Sequence, residues 1–353
     1  MKNTRIAGIG HYVPDQVVTN DDLARHMDTS DEWIRERTGI QERRYARKHT
    51  EGTAKMGVKA ARVAIERAGI EVSDIDFIIF ATLSPDYYFP GSGVLLQREL
   101  GLEGVGALDI RNQCSGFVYG LSIADQFVKT GMYKNVLLVG SEFHSMGLDF
   151  STRGRNVTVI FGDGAGAAVL QPTEEEGRGI LTTHLHADGR YAEELAFINP
   201  GSHSGIYMDE EQRAQQGYDP EQEYGGMFIT QQMVDNHDIY PNMNGQAVFK
   251  MAVTKFPEVI GEALEATGHA AEDIDLLVPH QANLRISQFV QKRLGLPDDK
   301  VMNNIQKYGN TTAASIPIAM SEAWEQGRIK DGDLVCLAAF GSGFTWGSAL
   351  IRW

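Results

Sequence analysis

Apolar positions recur along this chain with two different periods. In "GVKAARVAIERAG" they fall three and four residues apart, the spacing of one helix face, and the following "IDFIIFAT" is a short continuous apolar run of the kind a buried strand shows. The same order returns in "LSIADQFVKTG" followed by "NVLLVGSE". Such alternation predicts an α/β fold.

The alternation is itself duplicated. "AIERAGIEVSDIDFIIF" (64–80) matches "ALEATGHAAEDIDLLVP" (263–279) at a constant offset, with Gly69 over Gly268 and "DID" over "DID". Laying "CSGFVYGLSIADQFVKTG" on "NTTAASIPIAMSEAWEQG" by superposing Gly131 on Gly327 sets Cys114 over Asn310. A third pair joins "VIFGDGAGAAVL" to "AAFGSGFTWGSAL", each a strand, a glycine-rich turn and a second strand. Generic α/β patterning is the competing explanation, but three matches in one order predict two halves, 1–173 and 174–353, copied from one unit. Residues 190–243 break the symmetry. They show little periodicity and an acidic run at Asp209, Glu210 and Glu211, so they are expected to form a long insertion with a short helix, either a lid or binding segment or a solvated decoration.

A chain of 353 residues suits two domains with a cleft between them. No apolar run approaches the roughly 20 residues of a membrane span, and the N-terminal "MKNTRIAGIGHYVP" lacks a signal-peptide core, so the expected location is the cytoplasm. Two cysteines then imply free thiols. A net charge of −15 argues against nucleic acid and anionic lipid as partners, and any anionic partner must meet a local basic patch.

Candidate chemistry gathers at three positions. Cys114 lies between a strand-like and a helix-like run, where unpaired N–H groups and the positive end of a helix dipole favour thiolate. A small buried hydrophobe is the other reading, and it is the one that fits Cys336 inside "DLVCLAAF". His280 in "LLVPHQAN" follows the carboxyl end of a buried strand, where α/β sheets collect active sites. His184 and His186 share a strand face, but no third ligand stands at a recognisable spacing, so no metal site is expected. A thiol, an imidazole and the carboxamide of Asn310 at the centre of two halves suit acyl transfer through a thioester.

At this point the motifs match a known family. "TSDEWIRERTGIQERR", "CSGFVYGLSIADQFVK", "FGDGAGAAVL", "THLHADG", "PHQANLRI", "GNTTAASIP" and "AFGSGFTWGSALIRW" run nearly end to end, and the chain resembles the β-ketoacyl-acyl carrier protein synthase III enzymes of the thiolase superfamily. The resemblance implies a five-layer αβαβα fold, a homodimer, and a catalytic triad of Cys114, His280 and Asn310. It implies ping-pong condensation of an acyl-CoA with malonyl-acyl carrier protein, without a metal or a further cofactor. An oxyanion hole would use the backbone N–H groups of Cys114 and Ser342. There "GSG" stands in place of the usual "GGG", and the added side chain is expected to narrow the site. CoA contacts map to Trp33, Arg37, Arg153, Gly245 and Gln246, with Gln246 replacing a common asparagine. Phe89 maps to the acyl pocket across the dimer, and Lys250, Arg285, Lys292 and Arg293 to the carrier-protein patch. The length of the 190–243 insertion suggests a medium-chain primer.

Rival readings meet specific residues. Degradative thiolases need a second cysteine in the final glycine turn, and "AFGSGF" has none; elongating ketosynthases use a second histidine where Asn310 stands. A triad enzyme that joins two acyl-CoAs or transfers an acyl group to a small acceptor in a specialised pathway stays open, as does a non-catalytic subunit that only binds CoA or carrier protein.

Overall fold

The computed structural model describes residues 3–219, 221 and 228–353. Strands β1 (Asn3–Tyr12), β2 (Phe77–Ala81), β3 (Gly106–Ile110), β4 (Val136–Glu142) and β5 (Gly164–Thr173) form one sheet in the order β1-β5-β4-β2-β3. Strands β6 (Gly179–Ala187), β7 (Leu276–Pro279), β8 (Leu334–Gly341) and β9 (Thr345–Arg352) form a second in the order β6-β9-β8-β7. Pairing directions match one for one. β1–β5 and β5–β4 are antiparallel and β4–β2 and β2–β3 parallel; β6–β9 and β9–β8 are antiparallel and β8–β7 parallel. A parallel bridge from Leu277 to Val301 stands where a fifth strand would continue.

Seven helices carry the argument: α1 (Asp31–Thr38), α2 (Thr53–Ala68), α3 (Ser92–Leu100), α4 (Gly116–Lys129), α5 (Gly245–Thr267), α6 (Leu284–Leu294) and α7 (Ser315–Glu325). Strand side chains alternate between faces, so Ile78 and Phe80 meet α2 and α3 in an outer core while Ile79 points into a central one. On the other side Leu277 meets Phe256, Ile260 and Val290 of α5 and α6, and Val278 points into the same central core. That core is filled by Phe117 and Leu121 of α4 and Ile316, Ala319 and Met320 of α7. The result is five layers, αβαβα. Covered on both faces, the central strands need no polar alternation, which is why they read as continuous apolar runs. Helix α7 is buried along all of Ser315–Ala323. Each large apolar side chain so buried contributes about 1.5–3 kcal/mol.

The internal correspondence differs in register from the sequence superposition. A 3-10 turn, Gln113–Ser115, leads into α4, and another, Thr312–Ala314, leads into α7. Both open on a residue in the left-handed region, Gln113 at φ 41° and Thr312 at φ 50°. Gln113 therefore corresponds to Thr312 and Gly116 to Ser315, the same spacing that relates Gly69 to Gly268. Cys114 falls on Ala313, not on Asn310. Helix α4 has 14 residues and α7 has 11, so aligning the glycines after their ends displaces their starts by the difference.

The described residues of 190–243 include two short α-helices, Glu210–Gln215 and Gln231–Asp235, and a two-stranded ladder pairing Leu195 with Met243 and Ala196 with Asn242. Met233 and Asn199 are buried within the segment, and Asn199 Nδ2 donates to Gln216 Oε1 at 3.0 Å. Residue 220 and residues 222–227 of the expected insertion lie outside the described residues.

Candidate active site

Both left-handed turns meet at the seam between the sheets. Cys114 is 6% exposed, Asn310 5% and His280 3%. Gly116, at the start of α4, sits in a tight spot, because a Cβ would lie 3.2 Å from Ala81 Cβ, close enough that the neighbour must give way, and 3.5 Å from that of Ala313. This close approach lets the two halves touch where the nucleophile candidate sits. A left-handed backbone is unusual for glutamine and more so for β-branched threonine, and costs about 1–3 kcal/mol at each. Such a cost persists where surrounding packing fixes the conformation, as it does at a functional site.

Asn310 is placed by a parallel bridge to Phe161, with Asn310 N donating to Ile160 O at 2.8 Å and Gly162 N to Asn310 O at 3.0 Å. Its side-chain oxygen accepts from Thr312 N at 2.8 Å, which turns the amide nitrogen toward the cysteine. The carboxamide of Asn310 and the side chain of Thr312 both lie beside the Cys114 thiol, near enough to favour its ionised form. Thr312 Oγ1 is in turn 2.7 Å from Nε2 of the buried His144. His280 follows β7, and its N–H donates to Ala338 O at 2.8 Å. Its Nδ1 lies 2.6 Å from Ser315 Oγ, on the first residue of α7. Its Nε2 is buried and has no hydrogen-bond partner among the described residues. If Ser315 donates, Nε2 carries the proton and can hold a carbonyl oxygen; if Nδ1 donates, Nε2 accepts a proton.

Electrostatics differ from the expectation of a thiolate. Burial pushes the Cys114 thiol up to about 12, and the nearby Glu142 adds to the rise. Its own backbone N–H, Asn310 and Thr312 pull the other way without prevailing. Burial also lowers His280 to about 3, so both groups rest uncharged at neutral pH. Glu142 is fully buried and pushed up to about 7, although Thr82 Oγ1, Leu83 N and Ser84 N donate to it at 3.0–3.2 Å and Ser84 Oγ at 2.5 Å. Sequence reading missed Glu142, His144, Thr312 and Ser315. For the last two the signal was present, since they lie within the matched "TTAAS" that leads into a helix.

Gly341 closes the site from the second half. A Cβ there would fall 2.6 Å from Cys114 Cβ and 3.2 Å from its Sγ, so a side chain is excluded. Ser342 follows, and its hydroxyl donates to Leu195 O. That side chain is occupied at the root of the 190–243 segment.

The other predicted positions divide. The Arg37 guanidinium lies 4.3 Å from the Trp33 ring on α1. Arg153 instead pairs with Asp149 at 2.6 Å and faces Tyr240, and it is Arg155, which the motif reading passed over, that lies 5.2 Å from Trp33. Gly245 and Gln246 are exposed at the start of α5, where Asn244 Oδ1 accepts from Ala247 N at 3.2 Å. Phe89 is 79% exposed beside Tyr88, which meets Phe228. Lys250, Arg285, Lys292 and Arg293 are all exposed on α5 and α6, with Arg285 over the Phe249 ring at 5.6 Å. His184 and His186 both meet Glu262, at 3.7 and 2.6 Å. No helix among the described residues is long and apolar enough to cross a membrane.

Two like halves with a buried thiol, carboxamide and imidazole at their seam define a thiolase-like protein. Comparison with known proteins narrows the class. Residues 108–189 match the family model of 3-oxoacyl-[acyl-carrier-protein] synthase III and residues 264–353 that of its C-terminal part. The β-ketoacyl-[acyl-carrier-protein] synthase III of Alkalilimnicola ehrlichii is 47% identical over 100% of both chains, and synthase III 1 of Bacillus anthracis 44% over 99% of both. The crystal structure of 3-oxoacyl-[acyl-carrier-protein] synthase III from Aquifex aeolicus has a TM-score of 0.84 and 41% identity, covering 99% of this chain and 100% of that one. The chain belongs to the β-ketoacyl-acyl carrier protein synthase III family, and is an acyltransferase of the condensing type.

Proposed function

We propose that this chain joins an acyl-CoA primer to malonyl-acyl carrier protein, with loss of CO2, to give 3-oxoacyl-acyl carrier protein. Cys114 Sγ attacks the acyl-CoA carbonyl, and its proton passes by way of His280 Nε2 to the departing CoA sulfur. The acyl-enzyme then meets malonyl-acyl carrier protein. CO2 leaves, the enolate attacks the cysteinyl thioester, and the thiolate released takes a proton back from water. For this second step the neutral His280 carries its proton on Nε2, with Ser315 Oγ donating to Nδ1, and that N–H and Asn310 hold the malonyl thioester oxygen while it is negative. The N–H groups of Cys114 and Ser342 hold the acyl oxyanion, and such donors contribute about 3 to 4 kcal/mol each. Trp33 with Arg37 and Arg155 receives the CoA nucleotide, and Phe89 reaches a second copy.

The observation that supports this best is the buried Cys114 with Asn310 at its sulfur and His280 presenting an unpartnered Nε2. The test is intact-mass spectrometry after incubation with acyl-CoAs from acetyl to dodecanoyl. An acyl adduct on Cys114, lost in Cys114→Ser, is expected, with medium chains preferred over acetyl. No adduct at any length overturns the enzyme reading, and an acetyl preference overturns the medium-chain primer.

A further inference from the structure

The turn after β8 is held at two ends by different kinds of bond. At its far end Phe344 N donates to Asp188 O at 2.9 Å, Asp188 N donates to Phe344 O at 2.8 Å, and the Tyr191 and Phe344 rings stack at 5.3 Å. None of these contacts involves a side chain at 342. At its near end the Ser342 hydroxyl donates to Leu195 O. Leu195 pairs with Met243, and Asn244 N donates to Glu194 O at 2.8 Å just before Asn244 caps α5. A path of single hydrogen-bonded steps thus leads from residue 342 to Asn244, the residue before Gly245 and Gln246. On the other side, Thr345 Oγ1 is 3.1 Å from Ser342 O and 2.6 Å from Ser115 Oγ, on the residue after Cys114.

We propose that Ser342 is a positioning residue, whose hydroxyl ties the root of the 190–243 segment and the start of α5 to the backbone N–H that meets the acyl oxyanion. Occupation of the CoA site proposed beside Gly245 and Gln246 then sets the distance of that N–H from the reacting carbonyl. This rests on the condensation proposed above.

The experiment compares wild type with Ser342→Ala, Ser342→Gly and Ser342→Thr by Cys114 acylation kinetics and by amide hydrogen exchange of residues 194–196 and 341–345. Loss of one such bond from the transition state alone lowers the acylation kcat by about tenfold while KM for acyl-CoA moves less than about twofold. Both segments exchange faster in the Ala and Gly variants, and Thr, which keeps the hydroxyl, restores rate and protection. Wild-type acylation and exchange in the Ala and Gly variants overturn the proposal and leave the condensation standing. A parallel fall of kcat, rise of KM and loss of melting temperature makes Ser342 merely structural and also overturns it. Failure of wild type to acylate with any acyl-CoA removes the condensation reading and this proposal together, and exchange data then still report whether the hydroxyl holds the turn.

Discussion

At the residue scale the active centre is a set of polar groups kept neutral by burial. A free thiol beside a helix start invites the idea of a resting thiolate, but desolvation outweighs the nearby donors here, and Glu142 works in the same direction as burial. Removing that charge tests the balance. Glu142→Gln keeps an acceptor for Leu83 N and Ser84 N, so the loop stays anchored while the carboxylate is gone. The thiol pKa then falls, and alkylation of Cys114 by iodoacetamide at a fixed pH below it rises roughly threefold to tenfold. An unchanged rate shows that Glu142 does not reach the sulfur. The same variant reports on stability. Glu142 has a folded value of about 7 against 4.5 for the free group, so below 4.5 both states are protonated and the folded state bears no cost. Between 4.5 and 7 the unfolded chain releases a proton that the fold retains, and above 7 the fold must carry a buried charge, so by about pH 7 wild type has lost about 3 kcal/mol that the Gln variant keeps. The variant's melting temperature relative to wild type is expected to rise between about pH 5 and about pH 8.

At the scale of elements, strands and helices were legible because the apolar periods are strong and both sheets are covered on two faces. The duplication was legible for the same reason, but its register was not. Glycines mark helix ends in sequence, and α4 and α7 differ in length, so the alignment anchored on Gly131 and Gly327 carried an error back to Cys114. Asn310 reaches the thiol from its bridge to Phe161 and its bond to Thr312 N, and not as the duplicate of Cys114. Arg155 was missed on similar grounds, since nothing in "STRGR" says which arginine turns toward Trp33. Helix α6 shows what spacing does reveal. Arg285, Phe289 and Lys292 are four and then three residues apart, hence on one face, and all three are exposed. Charge reversal at Arg285 and Lys292 is expected to slow condensation with malonyl-acyl carrier protein at least about tenfold at low salt while leaving Cys114 acylation by acyl-CoA within about twofold. Equal slowing of both steps places the carrier protein elsewhere.

At the scale of the whole molecule, several large apolar side chains lie exposed in and beside the described part of the 190–243 segment. Tyr87, Tyr88 and Phe89 are 54%, 52% and 79% exposed, and Ile206, Tyr207 and Phe228 are exposed as well. Single exposed aromatics are ordinary, but neighbours such as Tyr88, Phe89 and Phe228 in ring contact form a patch that water covers poorly. Sequence periodicity could not show this, because these residues sit in loops where spacing carries no face. A second copy of the chain is the occupant that the family resemblance expects, with Phe89 entering the partner's acyl pocket. Phe89→Asp places a charge where such an interface excludes water, and a desolvated unpaired carboxylate costs several kcal/mol. Sedimentation velocity is therefore expected to give twice the 38.9 kDa of the chain for wild type and a shift toward the single-chain mass for the variant. Cys114 acylation should fall along with it, most for long acyl chains, if the proposed partner supplies a wall of the pocket. A monomeric wild type sinks the dimer, and a dimeric Phe89→Asp with normal chain-length preference removes Phe89 from the interface and the pocket alike.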